Sequence, residues 1–592
     1  MQADRAARAF QPARPVSAEL FDQLSARACL PARKGLPDPR GNAKSPRNFR
    51  VFLPETWDRS MRRREFVISA GAAMSAVTAL SSSLGAALAQ EGPEAEPEPA
   101  AEPEAAAEPA EQPAPKPFGF EDVAEMAREL AANAYEYRDA ELVGSFANLS
   151  YDQYRGIRFR RDRDPWAGSR DFALDLLPPG AIFHEPVDIS LVDDGVVIPV
   201  RFDPHMFDFN PAQFPDGVDY ETLGNMGWSG FRLRAPLNRP DVMDEIAVFQ
   251  GASYFRAVAR GTLYGLSARG LAIGTGSAEG EEFPLFRGFW IHKPGPQDRS
   301  VLVHALLDSR SVSGAFEFRI TPGAETVFDT RVALFPRQDM RNAGIAPLTS
   351  MYWFGPTDRS RVDDYRPAVH DSDGLQMLTG GEQRLWRVLS GHSTLQVSAF
   401  MDNDPLGFGL AQRARDFESY KDAEARYEKR PSAWIAPQDN WGKGTVTLVE
   451  IPVENEFNDN IVSFWQPADT LLKGNRYDFN YILTFAAEVP DSAPISRVIE
   501  TMSGRAVNNV NARTYIVDFD LGLFGSDDPV PQLRASAGRI GHSYLLRLPE
   551  QGRMRLAFEY LPEGAKLADL SAVLNGPNGP LSETWIARWT RE

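Results

Sequence analysis

From about residue 170 to the C-terminus, apolar residues of this chain recur two apart in short runs. That period is the strongest constraint on its fold. Phe316-Glu317-Phe318-Arg319-Ile320, Leu395-Gln396-Val397-Ser398-Ala399 and Val446-Thr447-Leu448-Val449-Glu450-Ile451 are examples. Successive side chains of a strand point to opposite faces, so such runs bury one face and leave the other to solvent. Forty-six glycines and forty-six prolines interrupt the 592 residues often, which favours many short strands over long helices. The strand–helix alternation of a parallel sheet is missing. The expected class is all-β, with a large sandwich over 118–487. A composition break at Glu488-Val489-Pro490-Asp491-Ser492-Ala493-Pro494 precedes a smaller one over 495–592, with runs such as Tyr515–Phe519 and Met554–Phe558. Its size and strand spacing suit an immunoglobulin-like sandwich without the cysteine pair of antibody domains. Helical spacing of Val123, Met126, Ala127, Leu130, Ala131 and Ala134 predicts one helix over Phe120–Tyr137. Ser150 and Gln153 fit a capping box that starts a second, short one.

The first 117 residues read as segments outside the fold. Arg63-Arg64-Glu65-Phe66-Val67 follows Met61 and precedes a mild apolar run that ends Ala87-Leu88-Ala89-Gln90. A basic start, an apolar middle and a small-residue cleavage site make 61–89 a secretory signal, and the paired arginines assign it to the twin-arginine route into the periplasm. Residues 1–60, rich in Arg, Pro and Ala, read as a spurious extension upstream of a start at Met61. Between 91 and 117, 24 of 27 residues are Glu, Pro or Ala in equal thirds. Repeated Pro stops helix propagation and repeated Glu repels itself, so the 90–117 linker is expected to be extended and disordered.

Charge and cysteine content narrow the function. Of 63 basic and 81 acidic residues, 14 and 7 precede residue 90, leaving 49 and 74 and a net charge of −25. Nucleic-acid partners need clustered Lys and Arg, so this balance argues against them. The single cysteine, Cys29, falls in the part removed, so no internal disulfide and no cysteine-based zinc site is expected. Seven histidines show no metal-ligand spacing, and neither metal nor cofactor is expected. Three motifs fail on inspection. Asp402-Asn403-Asp404-Pro405-Leu406-Gly407 opens like a calcium loop but has Arg413 at the closing acid position. Gly442-Lys443-Gly444-Thr445 lacks the upstream glycine of a P-loop, and Gly265–Arg269 is no nucleophile elbow.

Two acidic clusters remain. One is His370-Asp371-Ser372-Asp373, after Met351-Tyr352-Trp353-Phe354 and Tyr365; the other is Asn455-Glu456-Phe457-Asn458-Asp459-Asn460. Taken singly, such acids are usually turn formers. Trp353, Trp386, Trp434, Trp441 and Trp465, five of the eleven tryptophans, lie in the same stretch. An indole face suits stacking on the C–H face of a pyranose, although each tryptophan is as readily a core residue. Carboxyls among aromatics match glycosidic chemistry, in which one acid protonates the leaving oxygen and one base activates water.

Gly251–Ala257, Tyr264–Ile273, Gly344–Met351, His370–Asp373, Lys429–Ser432 with Trp434, Trp441–Gly444, Asp459–Val462 and Phe464–Pro467 form a further set of motifs, in a stretch from about 118 to Ser582–Trp585. Through them the chain resembles a known family, the periplasmic glucans biosynthesis proteins OpgG and OpgD (also MdoG and MdoD). The twin-arginine signal favours the OpgD side. The resemblance implies a large sandwich similar to galactose mutarotases followed by an immunoglobulin-like domain. It also implies action on the glucose backbone of osmoregulated periplasmic glucans, as an inverting endo-β-1,2-glucanase or a transglycosylase. By motif position Asp459 would be the general acid, Asp371 the general base and Glu456 a further acid of the cleft. Tyr427 and Arg430 match substrate-cleft positions. His370, Asp373, Trp353, Tyr365, Trp386, Trp434, Trp441 and Trp465 join them as expected sugar contacts. The implied partner is a β-1,2-linked glucan backbone, with a membrane-bound glucan synthase as a further candidate. Two points stay open: whether Arg430 bonds sugar hydroxyls or pairs with a carboxylate, and whether the groove cuts glucan or binds it as a non-catalytic biosynthesis factor. Burial and neighbouring negative charge would help the acid hold its proton near neutral pH, and Glu456, three residues from Asp459, could supply that charge.

Overall fold

A computed structural model describes residues 117–591 apart from 168, 170, 491, 492 and 527. The extension, signal and nearly all of the linker expected before residue 118 lie outside the described residues. Among these, no helix is long and apolar enough to cross a membrane.

Alternating runs become two large sheets packed face to face. A ten-stranded sheet runs Ala173–Leu177, Gly230–Pro236, Met243–Gln250, Tyr254–Ala257, Ser267–Arg269, Ala343–Ser350, Ile461–Pro467, Lys443–Glu450 and Gln396–Asn403, with Leu271–Ile273 also on Ala343–Ser350. A fifteen-stranded sheet has at its centre Gly374–Leu378, Gly407–Ala411, Ser432–Pro437, Tyr477–Ala486, Glu325–Pro336 and Val312–Thr321. Phenylalanines interlock between them: Phe249 lies 5.4 Å from Phe318, and Phe255 5.5 Å from Phe328. These rings prefer tilted and edge contacts, and they fill the space between the sheets. The expected all-β sandwich is the fold.

Three local expectations need adjustment. The first helix spans Phe120–Ala132, not Phe120–Tyr137. Arg337 accounts for the stop, since its guanidinium donates to the carbonyls of Leu130 (2.7 Å) and Asn133 (3.0 Å), groups a helix end leaves unpaired. In the edge strand Gln396–Asn403, Gln396 and Ser398 are buried while Val397 and Met401 face solvent, the reverse of the apolar reading. Gln396 lies opposite Glu450, the buried partner of Arg387 at 2.8 Å, so the inner face is polar there. Two strand pairs are parallel, Leu285–His292 with Asp188–Asp193 and Arg384–Val388 with Thr584–Thr590. The capping box at Ser150 and Gln153 forms as expected, with both reciprocal hydrogen bonds.

The second parallel pair continues the fifteen-stranded sheet into Thr584–Thr590, Leu567–Gly576 and Val530–Ala535. A four-stranded sheet of Val498–Arg505, Arg513–Asp520, Arg553–Leu561 and Arg539–Leu548 packs against that extension. Trp585 fills the space between, 5.7 Å from both Tyr515 and Phe558. The C-terminal sandwich thus shares one sheet with the large one.

Four of the tryptophans expected to stack on sugar are core residues. Trp386 and Trp434 sit in the C-terminal core, Trp441 and Trp465 in the main one, all buried. Gly374, Gly407 and Gly444 have no room for a Cβ because Trp386, Trp434 and Trp465 respectively cover them. An indole laid over a neighbouring strand's glycine fills the gap that the missing side chain leaves. No ring face remains for a ligand.

Arg413 joins the two sandwiches. Its guanidinium lies 3.5 Å above the Trp386 ring and makes two 2.7 Å bonds to Glu583, whose Oε2 also accepts the Val498 N–H at 2.8 Å. Glu583 is fully buried. Removing one partner of a buried pair leaves the other charge uncompensated. Glu583→Ala is expected to cost about 3–5 kcal/mol in urea unfolding, whereas Glu563→Ala, at an exposed pair, is expected to cost less than about 1 kcal/mol.

Candidate functional site

Three long connections converge where the strands Ala343–Ser350 and Ile461–Pro467 pair. Residues 351–373 carry Trp353, Tyr365 and Asp371, residues 412–431 carry Tyr427 and Arg430, and residues 451–460 carry Glu456 and Asp459. Asn460 ties the third connection to the first. Its Oδ1 accepts the Tyr352 N–H at 2.8 Å, and its Nδ2 donates to the carbonyls of Tyr352 (2.9 Å) and Ile451 (2.8 Å). Gln412 ties the second to the first, donating to the carbonyls of His370 (3.0 Å) and Tyr427 (3.2 Å). Tyr427 itself is turned inward after Arg426, which adopts a left-handed φ of 50°. The fourth contributor is the strand Tyr254–Ala257, which buries Phe255 and Ala257 in the core and presents Arg256 on its other face.

Each acid meets an arginine. Asp371 is buried, and its Oδ1 lies 3.4 Å from the Nε of buried Arg430 without a hydrogen bond between them. Arg430 also donates to the Tyr264 carbonyl. Asp459 accepts from Arg256 at 3.4 Å, both side chains being about 30% exposed. Glu456 accepts from Arg366 at 2.5 Å. Arg366 is itself a buried hub, with Asp364 at 2.9 Å and Asp422 at 2.8 Å. Of the two roles left open for Arg430, this arrangement has it beside a carboxylate.

Burial pushes the Asp371 carboxyl up to about 6. Arg430 and Arg256 oppose that rise, while the charges of Asp459 and Glu456 reinforce it. The Tyr427 hydroxyl is held strongly up by burial, with Glu456 and Asp371 adding to the effect. Glu456 is paired with Arg366, and the carboxyl that burial and the Glu456 charge raise is Asp371.

Aromatic and polar expectations divide. Trp353 is half-buried and Tyr365 is 74% exposed. Both rings flank Arg366, at 5.9 and 5.8 Å, and form one wall of the site. His370 and Asp373 stand behind that wall. His370 stacks on Tyr352 at 5.1 Å and bonds Gln412, and burial lowers its pKa. Asp373 accepts the backbone N–H groups of Arg413 and Ala414. The His370 ring is buried among these partners and Asp373 gives one carboxylate oxygen to the backbone of the second connection, so the structure places both as supports beside Asp371 rather than as sugar contacts. Trp386, Trp434, Trp441 and Trp465 lie in the cores. Arg256, Arg366, Gln412 and Asn460 are the site residues that sequence reasoning missed. Arg256 and Asn460 fall inside segments that carry the family resemblance, which was the one available signal.

The Asp371 shift fixes the sign of a stability effect. An unfolded aspartate ionises near pH 4 and Asp371 near 6, so between those values ionisation disfavours the fold and stability falls as pH rises. Asp371→Asn is expected to stabilise the protein by about 1–3 kcal/mol at pH 7.5. That gain should vanish below pH 4, which denaturant unfolding at the two pH values would measure.

The family described as periplasmic glucan biosynthesis protein, MdoG, matches residues 118–589. Glucans biosynthesis protein G of Vibrio cholerae serotype O1 (strain El Tor Inaba N16961) is 45% identical over 477 residues, covering 80% of this chain and 87% of the relative. The protein of the same name from Rhodopseudomonas palustris (strain BisA53) is 42% identical over 483 residues, covering 80% and 94%. That from Bradyrhizobium diazoefficiens is 42% identical over 474 residues, covering 79% and 92%. The preference for the OpgD side rests on the paired arginines alone. Matched over residues 118–589, the chain belongs to the periplasmic glucan biosynthesis protein family, MdoG.

Proposed function

We propose that this protein is exported by the twin-arginine route and acts in the periplasm on β-1,2-linked glucan, as an inverting endo-glucanase or a transglycosylase. The observation that carries the reading is the meeting of Asp371 and Asp459, 88 positions apart in sequence, in one electrostatic cluster. Their environments differ: Asp371 is buried with a raised pKa, whereas Asp459 is part-exposed on Arg256. Two carboxyls in unlike surroundings suit separate acid and base roles, and here the raised pKa falls on the expected base. Asp459 would donate to the glycosidic oxygen and Asp371 would accept a proton as water or a sugar hydroxyl attacks. Sugar binding would have to displace the Arg256 contact before Asp459 could face the glycosidic oxygen. Trp353 and Tyr365 would line the approach of the chain.

One observation favours the second reading, a glucan-binding biosynthesis factor without catalysis. Asp459 and Glu456 both have arginine partners, which suits a resting groove of neutralised charges.

Linear β-1,2-glucan separates the two. The wild-type protein is expected to generate new reducing ends or altered chain lengths, and Asp459→Asn to lower the rate by about 100-fold or more. A wild type that changes neither would overturn the enzyme reading. With Asp371 as base, kcat/KM is expected to fall about tenfold per pH unit below about 6. A profile flat from pH 5 to 7 would remove Asp371 from that role.

A further inference from the structure

The four-stranded sheet of the C-terminal sandwich touches the cleft segment directly. Its first two strands, Val498–Arg505 and Arg513–Asp520, form a hairpin in which Arg505 pairs with Arg513 and Ser503 with Tyr515. At the turn end of this hairpin Ser503 and Arg513 act together. The Arg513 Nε donates to the Ser503 Oγ at 3.0 Å, and the Ser503 Oγ donates to the Thr357 carbonyl at 2.7 Å. Arg513 Nη2 donates to the same carbonyl at 2.7 Å, and the Ser503 N–H reaches the Pro356 carbonyl at 3.3 Å.

Thr357 belongs to the connection that builds the aromatic wall. Next to it, buried Asp358 closes a turn by accepting the Gly355 N–H at 2.8 Å, and it also accepts the Gly391 N–H. Arg359 then donates to the carbonyls of Arg366 and Asp364, both at 3.1 Å. Arg366 ends the series on Glu456 at 2.5 Å. From Thr357 onward the links are hydrogen bonds between side chains and backbone groups, ending on the Glu456 carboxylate. A shift at Thr357 is therefore passed along a short, stiff segment to the wall that carries Trp353 and Tyr365.

We propose that the C-terminal sandwich is a positioning element of the glucan cleft, in which Arg513 and Ser503 clamp the Thr357 carbonyl and so hold segment 353–366 in place against Glu456. The inference rests on the cleft being the glucan site. Neither residue touches that site, and the clamp acts through Thr357 and Arg366. Its effect belongs on substrate binding more than on the chemical step, because the wall it supports binds sugar while Asp371 and Asp459 stand on other supports.

The test uses the full chain and four variants: Arg513→Ala, Ser503→Ala, Arg513→Lys and, as a control on the same sheet, Arg539→Ala. Amide hydrogen exchange is followed over peptides covering 353–366 and over the core strand Val312–Thr321. KM and kcat are measured on linear β-1,2-glucan. Losing a hydrogen bond to a buried carbonyl is expected to speed exchange in 353–366 about tenfold in Arg513→Ala, with the core strand unchanged. KM is expected to rise about tenfold with kcat within about twofold, Arg513→Lys to recover most of both, and Arg539→Ala to match wild type. Exchange that is unchanged in 353–366, or raised equally in the core strand, would overturn the clamp. A fall in kcat without a rise in KM would overturn its assignment to binding. Should the wild type leave glucan unchanged, the glucanase reading fails, while the exchange arm still decides whether the clamp exists.

Discussion

The site depends on one long-range pairing, that of the strand Ala343–Ser350 with Ile461–Pro467, finished by the side chain of Asn460. Strands more than a hundred residues apart meet there in the ten-stranded sheet, and their ends release the two connections that carry Asp371 and Asp459. A backbone pair at the last rung would fray without partners. The Asn460 amide supplies a donor and an acceptor to Tyr352 and a second donor bond to Ile451, so both connections leave the sheet in fixed directions. Loops on a rigid β scaffold can then hold charged groups at short range.

Charge is the second constraint. Asp371, Asp459 and Glu456 would repel one another in a partly dry cleft, and Arg430, Arg256 and Arg366 offset that repulsion one by one. Compensation is unequal. Glu456 is closely paired and Asp459 loosely, whereas Asp371 is buried without a hydrogen bond to its arginine and keeps a raised pKa. An unsatisfied, protonation-prone carboxyl lowers stability, and proteins retain such groups where function needs them. The Arg366 hub shows the opposite design, a cation bonded to three carboxylates and suited to holding a wall in place.

Much of the fold was legible because period-two alternation reports burial on one face, and it did so at Phe316–Ile320 and Tyr515–Phe519. It misled at Gln396–Asn403, where a buried Arg387–Glu450 pair makes the inner face polar and leaves Val397 and Met401 outside. The tryptophans misled for a related reason. An indole that covers a strand glycine and one that faces a sugar have the same sequence signature, and only the register of Gly374, Gly407 and Gly444 distinguishes them. Arg256 was invisible because one outward arginine on an alternating strand looks like any solvated residue.

By itself the sequence determined the all-β class, the capping box at Ser150, the acidic balance and, through its resemblance, the family. Those are local or compositional properties, carried by neighbouring residues. Tertiary structure decided which arginine meets which acid, that Asp371 is the buried carboxyl, that four tryptophans are core, and that the C-terminal sheet grips Thr357. Each of these depends on the pairing of segments tens to hundreds of residues apart, and strand register, which no local pattern encodes, sets that pairing.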